Sequence, residues 1–409
     1  MKALVFIGMI LLLCAADLAH AQGHAVHVKL ELYNDIFEAD ADVAMLPALD
    51  RPVNKRTISA FYDMVNEANY QPLINALAAY QKKHQLNDWL YYQLIRRVAQ
   101  QLAPKQNDYD RYTLYKWFLM VRSGYDARLA LANNKLIFYV YNDEDISDIP
   151  FFMIDGKKYM CLNYHDHPNT DLHQEPPYPV NIKVPDADRA FSYEVTRMPD
   201  FEPSGYFDKE LAFVYQNKTY SFKIKLNRQV DSLFTNYPGV DFKTYFNIPL
   251  TRETYSSLIP LLKKNVAGMS QTKGVDYLMR FTRYAFLYEN DEQNFGKEKR
   301  MSPEETLFNQ YSDCDDRAAL FFYLVKEIYD LPMIAMLYPT HITMAVQFNK
   351  PVGRSVIYQG KAYSVCEPTL QPDDLPIGQL SPKYQKQPYQ VVYHYEPART
   401  LPGQAGARQ

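Results

Sequence analysis

Three residues in the C-terminal half have the types and the order that thiol catalysis of acyl transfer requires. Cys314 lies at the start of a predicted helix, His341 begins a predicted strand, and Glu367 ends a later strand. In a first helical turn, the unpaired backbone amides and the helix dipole favour a thiolate and hold a developing oxyanion. An imidazole can take the thiol proton, and a carboxylate on its other nitrogen fixes the tautomer. The order therefore predicts a nucleophile, a base and an orienting acid on adjacent elements.

Local patterns predict the elements that position these side chains. Ser312 or Asp313 is expected to cap the helix of Cys314. Residues 341–348 alternate in a way typical of a strand, with His341 on the face that carries small and polar neighbours. A tight turn is predicted at residues 359–360, and Pro368 is expected to end the strand of Glu367. The neighbouring aspartates raise the thiol pKa, so we expect Cys314 to need His341 as a cationic partner.

These segments also resemble a known family. They are Asp313-Cys314 through Arg317-Ala318-Ala319, Tyr338-Pro339-Thr340-His341, and Tyr363-Ser364-Val365-Cys366-Glu367-Pro368-Thr369. They look like the core of the transglutaminase-like superfamily over roughly residues 255–384, and the acidic stretch 313–316 is similar to that of bacterial transglutaminase-like cysteine proteinases. The resemblance implies an α+β, papain-like fold in this half and catalytic roles for Cys314, His341 and Glu367.

Composition excludes several classes of protein. The chain has 409 residues, 47% hydrophobic and 22% charged, with a formal net charge of −3. This balance is typical of two or three globular domains and excludes disordered and collagen-like chains. It also lacks the basic excess of nucleic-acid-binding proteins, so we expect no nucleic-acid partner.

The N-terminus resembles a targeting segment. Met1-Lys2 precedes an apolar run over residues 3–16 and the small-residue pattern Ala19-His20-Ala21. This predicts a signal peptide over residues 1–21, and the run is shorter than the ~20 residues that cross a bilayer. We therefore expect export to a periplasm or cell surface, with no integral membrane segment. The exported chain would keep Cys161, Cys314 and Cys366: either Cys161 pairs with Cys366, or all three are reduced.

The predicted domains are an N-terminal α+β domain (22–187), a β-rich connecting segment (188–240), a transglutaminase-like domain (241–396) and a disordered tail (397–409). The two halves share a weak repeat, since Phe118, Val121, Tyr125, Asp126, Gly156, Lys157 and Tyr159 recur at constant offset as Phe322, Val325, Tyr329, Asp330, Gly360, Lys361 and Tyr363. In that comparison Asp110, Ile137 and Asn163 stand where the second half has Cys314, His341 and Glu367. The N-terminal domain is thus a candidate degenerate copy without thiol chemistry.

Two metal interpretations compete with simpler ones. His165, Asp166, His167, Asp171 and His173 offer five potential ligands within a short loop, although solvated histidines explain such loops as well. Calcium on Asp313, Asp315 and Asp316 competes with helix capping and with pairing to Arg317. We predict no metal or cofactor.

Two hypotheses for function follow. The first is an exported thiol enzyme, a cysteine peptidase or amidohydrolase, that forms an acyl-enzyme on a protein or peptide substrate through Cys314, His341 and Glu367. Hydrolysis is favoured over cross-linking, since an amine acceptor needs a site that excludes water. The second is an inactive binding or scaffold protein of the cell envelope that keeps the same fold.

Overall fold

The computed structural model describes residues 25–133, 135–167, 177–290 and 299–398. The chain forms two compact units that alternate along the sequence. The first comprises residues 1–84, 92–141 and 151–191, and the second 85–91, 142–150 and 192–409. The predicted signal peptide lies outside the described residues, as does most of the predicted tail. Within the described ranges, no helix has both the length and the apolar character needed to cross a bilayer.

The N-terminal part consists of a hairpin followed by helices. Strands β1 (Ala25–Leu32) and β2 (Asp35–Asp42) pair in antiparallel fashion. Helices α1 (Lys55–Glu67), α2 (Gln71–His84), α3 (Asp88–Leu102) and α4 (Tyr109–Arg122) follow. In α1, Asn54 and Thr57 cap the first turn reciprocally, and one apolar face is buried at helical spacing by Ile58, Phe61, Tyr62 and Val65.

A five-stranded antiparallel sheet completes the first unit. Its strands are β3 (Ala127–Ala132), β4 (Lys135–Tyr141), β6 (Phe151–Ile154), β7 (Lys157–Cys161) and β8 (Tyr178–Val180), in the order β6-β7-β4-β3-β8. Residues 127–141 and 151–161 each form a hairpin of this sheet. Asn133, Asp155 and Gly156 have positive φ angles, which allow the chain to reverse there.

The second unit contains a long hairpin, β9 (Tyr206–Tyr215) and β10 (Lys218–Asn227), which packs on α7 (Arg252–Val266) and α8 (Gln271–Tyr284). The unit also contains α5 (Gln229–Phe234), α6 (Phe242–Phe246), α9 (Pro303–Phe308) and the short strands β5 (Ile146–Ser147) and β11 (Gly239–Val240). Most of the predicted connecting segment 188–240 therefore belongs to this unit. The reason is packing, because Phe213 and Phe222 of the hairpin lie against Phe281 of α8.

The C-terminal sheet follows the parallel pair β12 (Leu287–Tyr288) and β13 (Tyr311–Ser312) and the helix α10 (Cys314–Tyr329). Its strands are β14 (Met333–Tyr338), β15 (His341–Val346), β16 (Ser355–Tyr358), β17 (Lys361–Cys366) and β18 (Gln390–Tyr395), in the order β16-β17-β15-β14-β18. Helix α10 packs against β15. One core cluster of this unit combines residues of β14, β15 and β17 with Leu380 and Tyr384 from the loop before β18. The sheet residues are Ile334, Met336, Tyr338, Ala345, Tyr363 and Val365.

The two five-stranded sheets have the same strand order and the same register. Ala127 pairs with Val140 as Met333 pairs with Val346, and Phe151 pairs with Met160 as Ser355 pairs with Ser364. In each unit a helix, α4 or α10, precedes the first strand of the sheet. The fold is thus of the predicted α+β class, and the weak repeat in sequence has a structural counterpart.

Candidate active site

Cys314 is the first residue of α10, as predicted. The N-cap residue Asp313 accepts hydrogen bonds from the amides of Asp315 (2.9 Å) and Asp316 (3.3 Å). The carboxylate of Asp316 accepts the amide of Asp313 in return, at 3.2 Å. This reciprocal cap fixes the helix start and presents Cys314 at its N-terminal end.

The surroundings of Cys314 favour the protonated thiol. Its sulfur donates to Asp315 Oδ1 at 3.4 Å. Burial raises the pKa of Cys314 well above its usual value, and the charges of Asp315 and Asp313 raise it further, whereas the backbone amide of Ile342 acts in the opposite direction. The influence of Ile342 places the thiol at the beginning of β15, next to His341. The hydrogen bond of the thiol, however, goes to Asp315 and not to the imidazole.

His341 and Glu367 are joined in the interior. His341 is the first residue of β15 and is 5% exposed, and Glu367 follows the last residue of β17 and is 1% exposed. Nε2 of His341 lies 2.8 Å from Oε2 of Glu367. If Nε2 carries the proton toward the carboxylate, Nδ1 is the free nitrogen that can accept a proton. The predicted base and orienting acid are therefore in direct contact.

Hydrogen bonds to both the carboxylate and the backbone carbonyl fix the position of Glu367. Its Oε1 accepts the amide of Thr369 at 2.9 Å. Its carbonyl oxygen accepts hydrogen bonds from Nε (3.2 Å) and Nη2 of Arg283, a buried residue of α8. The same guanidinium donates to the carbonyl of Leu375 and to Asp374. These contacts fix the carboxylate that orients His341.

Two tyrosines that the sequence analysis missed lie at the site. The ring of Tyr384 stacks on His341 with the centroids 4.5 Å apart and an angle of 13° between the planes. Burial raises the pKa of Tyr288 to about 12, with further contributions from Cys314 and Asp313. No pattern in the neighbouring sequence predicts that either tyrosine lies here, because both belong to segments other than those of Cys314, His341 and Glu367. Arg283 could have been noticed, because it is a charged residue on an otherwise apolar helical face.

The acids around Cys314 serve the helix and a nearby arginine. Ligand atoms of Asp313, Cys314 and Asp315 lie within 4.8 Å of one another. Asp313 uses its carboxylate as the helix cap, and Asp315 lies 3.6 Å from Arg300 Nε. Asp316 is buried and accepts the amide of Met301 and the hydroxyl of Tyr245. Capping and pairing thus account for these carboxylates, and we assign no cation to them.

The corresponding places of the first unit hold different side chains. Tyr109 follows the N-cap Asp108 as Cys314 follows Asp313. Strand register puts Lys135 in the place of His341, and Asn163 in the place of Glu367. The predicted counterparts Asp110 and Ile137 were wrong, because the chain lengths between the helix cap and the first strand, and between the second and third strands of the sheet in chain order, differ between the units. Asn163 was matched as predicted.

In the first unit these residues form a network that is satisfied internally. The Tyr109 hydroxyl accepts from Asn163 Nδ2 (2.8 Å) and donates to Asp166 (3.0 Å). Asn163 Oδ1 accepts the amide of Phe138 at 2.8 Å, and Lys105 pairs with Asp166 at 2.6 Å. The buried Cys161 thiol also donates to Asn163 Oδ1, at 3.6 Å.

Lys116 of α4 lies beside this network and is almost completely buried. Its ammonium faces the ring of Tyr112 at 4.5 Å, with Phe138 and Tyr109 at about 6 Å. Burial lowers the pKa of Lys116 to about 7; Asp166 opposes this shift, whereas Arg96 and Lys105 reinforce it. The first unit thus holds a buried amine beside the network that occupies the place of the candidate site.

The predicted metal loop is only partly described. Asp171 and His173 lie outside the described residues. Asp166 is occupied by Lys105 and Tyr109, and burial lowers the pKa of His165 to about 4. Among the described residues, the donor atoms of His165, Asp166 and His167 do not converge as a ligand group.

All three described cysteines are free thiols, so the predicted alternative of three reduced residues is the one observed. Cys161 ends β7 and Cys366 ends β17, and both are buried. Burial raises the pKa of Cys161 to about 12 and that of Cys366 further. Cys314 is the more accessible of the three.

Comparisons with known proteins found no matching family model, no matching curated protein and no matching solved structure.

Proposed function

We propose that this protein is an exported thiol enzyme of the transglutaminase-like type that acts on amide bonds of a protein or peptide. Cys314 is the nucleophile, His341 the base and Glu367 the orienting acid. The observation that carries the proposal is the buried hydrogen bond between His341 Nε2 and Glu367, next to a helix N-terminus that carries a cysteine. A buried carboxylate on one imidazole nitrogen prepares the other for proton transfer.

The reaction proceeds in two halves. The Cys314 sulfur attacks the amide carbonyl while its proton moves to His341 Nδ1, and the new oxyanion lies near the amides at the start of α10. His341 then gives the proton to the leaving amine as the C–N bond breaks, which leaves a thioester. Water attacks the thioester, His341 takes a proton from that water, and the departing Cys314 sulfur is reprotonated.

The resting thiol sets one requirement on this reaction. Because burial and the neighbouring acids keep Cys314 protonated, a preformed thiolate does not supply the nucleophile. The proton has to leave during attack, and the sulfur has to exchange its contact with Asp315 for one with His341. Stacking by Tyr384 keeps the imidazole in one plane while this occurs.

The remaining parts of the proposal concern location and the fate of the acyl group. We propose that residues 1–21 direct export to a periplasm or cell surface. Water is the favoured acceptor, so the activity is hydrolysis rather than cross-linking. The enzyme needs no cofactor.

A second candidate is a scaffold protein that keeps this fold without turnover. The contact of the thiol with Asp315 in place of His341 favours it, as does the raised pKa of Cys314. In that case the His341–Glu367 pair is a structural feature of the core.

Alkylation of the folded chain with iodoacetamide separates the two candidates. For the enzyme we expect Cys314 to react at least about tenfold faster than the buried Cys161 and Cys366, with a rate that rises from pH 7 to pH 9 because its pKa is raised. Alkylated protein should no longer hydrolyse casein. If Cys314 reacts no faster than the buried thiols, or if fully alkylated protein still hydrolyses casein, the enzyme proposal is wrong.

A further inference from the structure

Strand β9 is hydrogen-bonded along one edge only. In the described residues it pairs with β10 and with no other strand. The outer edge of β10 is engaged by α7, since the amide of Lys225 donates to Ser257 and its carbonyl accepts from Thr254. Within the same described ranges, no backbone hydrogen bond reaches the outer edge of β9.

The hairpin turn determines which backbone groups point outward from β9. Gln216 and Asn217 both have positive φ angles, 49° and 62°, as a two-residue type I′ turn requires. The pair that flanks such a turn, Tyr215 with Lys218, exchanges hydrogen bonds, and bonded and non-bonded pairs then alternate. The outward N–H and C=O groups are therefore those of Asp208, Glu210, Ala212 and Val214.

A groove runs along this edge. One cavity of about 330 Å³ lies between residues 209–212 and a wall made of residues 284–287 with 309–310. A second cavity of about 740 Å³ is lined by residues 212–214 together with Asp276, Arg280 and Asp374. Both cavities share Ala212 and Tyr284. The two cavities therefore adjoin each other beside the outward backbone groups.

The C-terminal half of this edge lacks the usual protection. Exposed edge strands normally carry charges, prolines or bulges that prevent another strand from pairing. Asp208, Lys209 and Glu210 provide charge at one end, but residues 211–215 carry none, and Val214 is 56% exposed. A row of free backbone groups beside a groove is the surface to which an extended peptide adds as a strand.

The wall of the groove continues to the candidate active site. Leu287, which lines the first cavity, pairs with Tyr311, and Tyr288 pairs with Ser312. Ser312 directly precedes the cap of the helix that carries Cys314. A segment lying in the groove is thus positioned beside the strand pair that leads to the thiol.

We propose that an extended, unfolded segment of the substrate polypeptide binds along β9 as a third strand, through the outward backbone groups of Glu210, Ala212 and Val214. This docking site deepens the proposed function and rests on it, because it assigns the substrate class as unfolded polypeptide. The occupant is a single strand, since the groove is walled on both sides along residues 209–212. A second copy of this hairpin would bring two strands together with the helices packed on them.

The test uses full-length chains that carry Cys314→Ala, so that binding is measured without turnover. The variant Ala212→Pro removes an outward N–H and blocks the edge, but it takes no hydrogen bond from the ladder with β10. The matched control is Ser221→Pro, because Ser221 lies directly opposite Ala212 and its N–H points to the other edge of the hairpin. The probe is fluorescein-labelled casein, an unfolded polypeptide, followed by fluorescence anisotropy.

We expect Ala212→Pro to weaken casein binding about tenfold or more, and Ser221→Pro to change it less than about twofold. Bound casein should also slow hydrogen exchange at the amides of Glu210, Ala212 and Val214. Equal loss in both variants, or no casein binding by the parent chain, overturns the docking site. So does dimerisation in sedimentation experiments that Ala212→Pro abolishes.

Failure of the docking site and failure of the proposed function are distinguishable. If wild-type protein hydrolyses casein while Ala212→Pro binds it normally, only the docking site is wrong. If Cys314 is unreactive and casein stays intact, while Ala212→Pro still loses casein binding, the proposed function is wrong and the docking site is retained.

Discussion

The two units place a helix cap, a strand start and a strand exit at corresponding positions, but they place different side chains there. The second unit has Cys314, His341 and Glu367, and the first has Tyr109, Lys135 and Asn163. The backbone arrangement is therefore compatible with both sets. Any difference in chemistry between the two places therefore comes from these side chains and not from the sheet.

The polar contacts differ accordingly. In the first unit Tyr109, Asn163 and Asp166 satisfy one another, next to the buried amine of Lys116. In the second unit the pair of His341 and Glu367 has one imidazole nitrogen left, and the thiol is held by a neighbouring acid. A network whose polar atoms bond to one another favours a structural role. An imidazole that keeps one nitrogen available next to a thiol favours proton transfer.

The two units should differ most in how a substitution directly after the helix cap affects hydrolysis. Cys314→Ala should reduce casein hydrolysis by about 10⁴-fold or more, because no acyl-enzyme can form. Tyr109→Phe, at the corresponding place of the first unit, should leave the rate unchanged. Initial rates of hydrolysis measure both. Activity that persists in Cys314→Ala would place the reaction elsewhere in the chain.

Replacing the acid makes the second unit more like the first. Glu367→Gln keeps the shape of the side chain but removes the charge that orients His341, so we expect hydrolysis to fall by about 10²–10³-fold with folding retained. The reverse change in the first unit, Asn163→Asp, should not alter hydrolysis. Steady-state kinetics and circular dichroism test these expectations. A Glu367→Gln variant with normal turnover would remove the acid from the mechanism.

The buried amine of the first unit should act on stability. Because the folded-state pKa of Lys116 is about 7, below its ordinary 10.5, the unfolded chain binds more protons between these values. Stability of the first unit therefore rises with pH across this window. Lys116→Met should flatten this dependence and stabilise the unit at pH 6 by on the order of 3 kcal/mol.

Unfolding in urea at pH 6 and pH 9, monitored by hydrogen exchange of the α4 amides, measures this effect. Lys105→Met is the control, because it removes the same charge from a side chain that is 40% exposed. A Lys116→Met variant that is less stable at pH 6 would show that the contacts of the ammonium with the aromatic rings outweigh its burial.

The smallest expected effect concerns the ring stacked on His341. Tyr384→Leu should lower kcat by about tenfold and shift the pH profile of kcat/KM, because the imidazole loses its planar support. Tyr384→Phe keeps the ring and should restore both. If leucine and phenylalanine behave alike, Tyr384 contributes only to the core.

Sequence patterns predicted the parts of this molecule that depend on neighbouring residues. The cap at Asp313 and the start of α10 at Cys314 follow from side chains within three positions. The alternation after His341 and the proline after Glu367 predicted strand ends that lie together in the structure. The α+β class was implied by the family resemblance, and the match between Asn163 and Glu367 came from the comparison at constant offset.

What the sequence did not predict depends on distant segments. Tyr384 comes from a loop beyond β17, and Arg283 comes from α8. The contact of Cys314 with Asp315 is local, but its preference over His341 depends on how α10 packs against β15. The comparison without gaps misplaced two counterparts in the first unit, because a constant offset cannot follow a change in loop length.

His341 and Glu367 lie at the ends of adjacent strands, whereas Cys314 lies on a helix that packs against one of them. Hydrogen-bonded strands hold their spacing, so the imidazole and its carboxylate move as one body. A small slide of α10 would change the gap between sulfur and ring and leave that body untouched. The spacing between the thiol and the imidazole therefore depends on how α10 packs against β15, and not on the contact between His341 and Glu367.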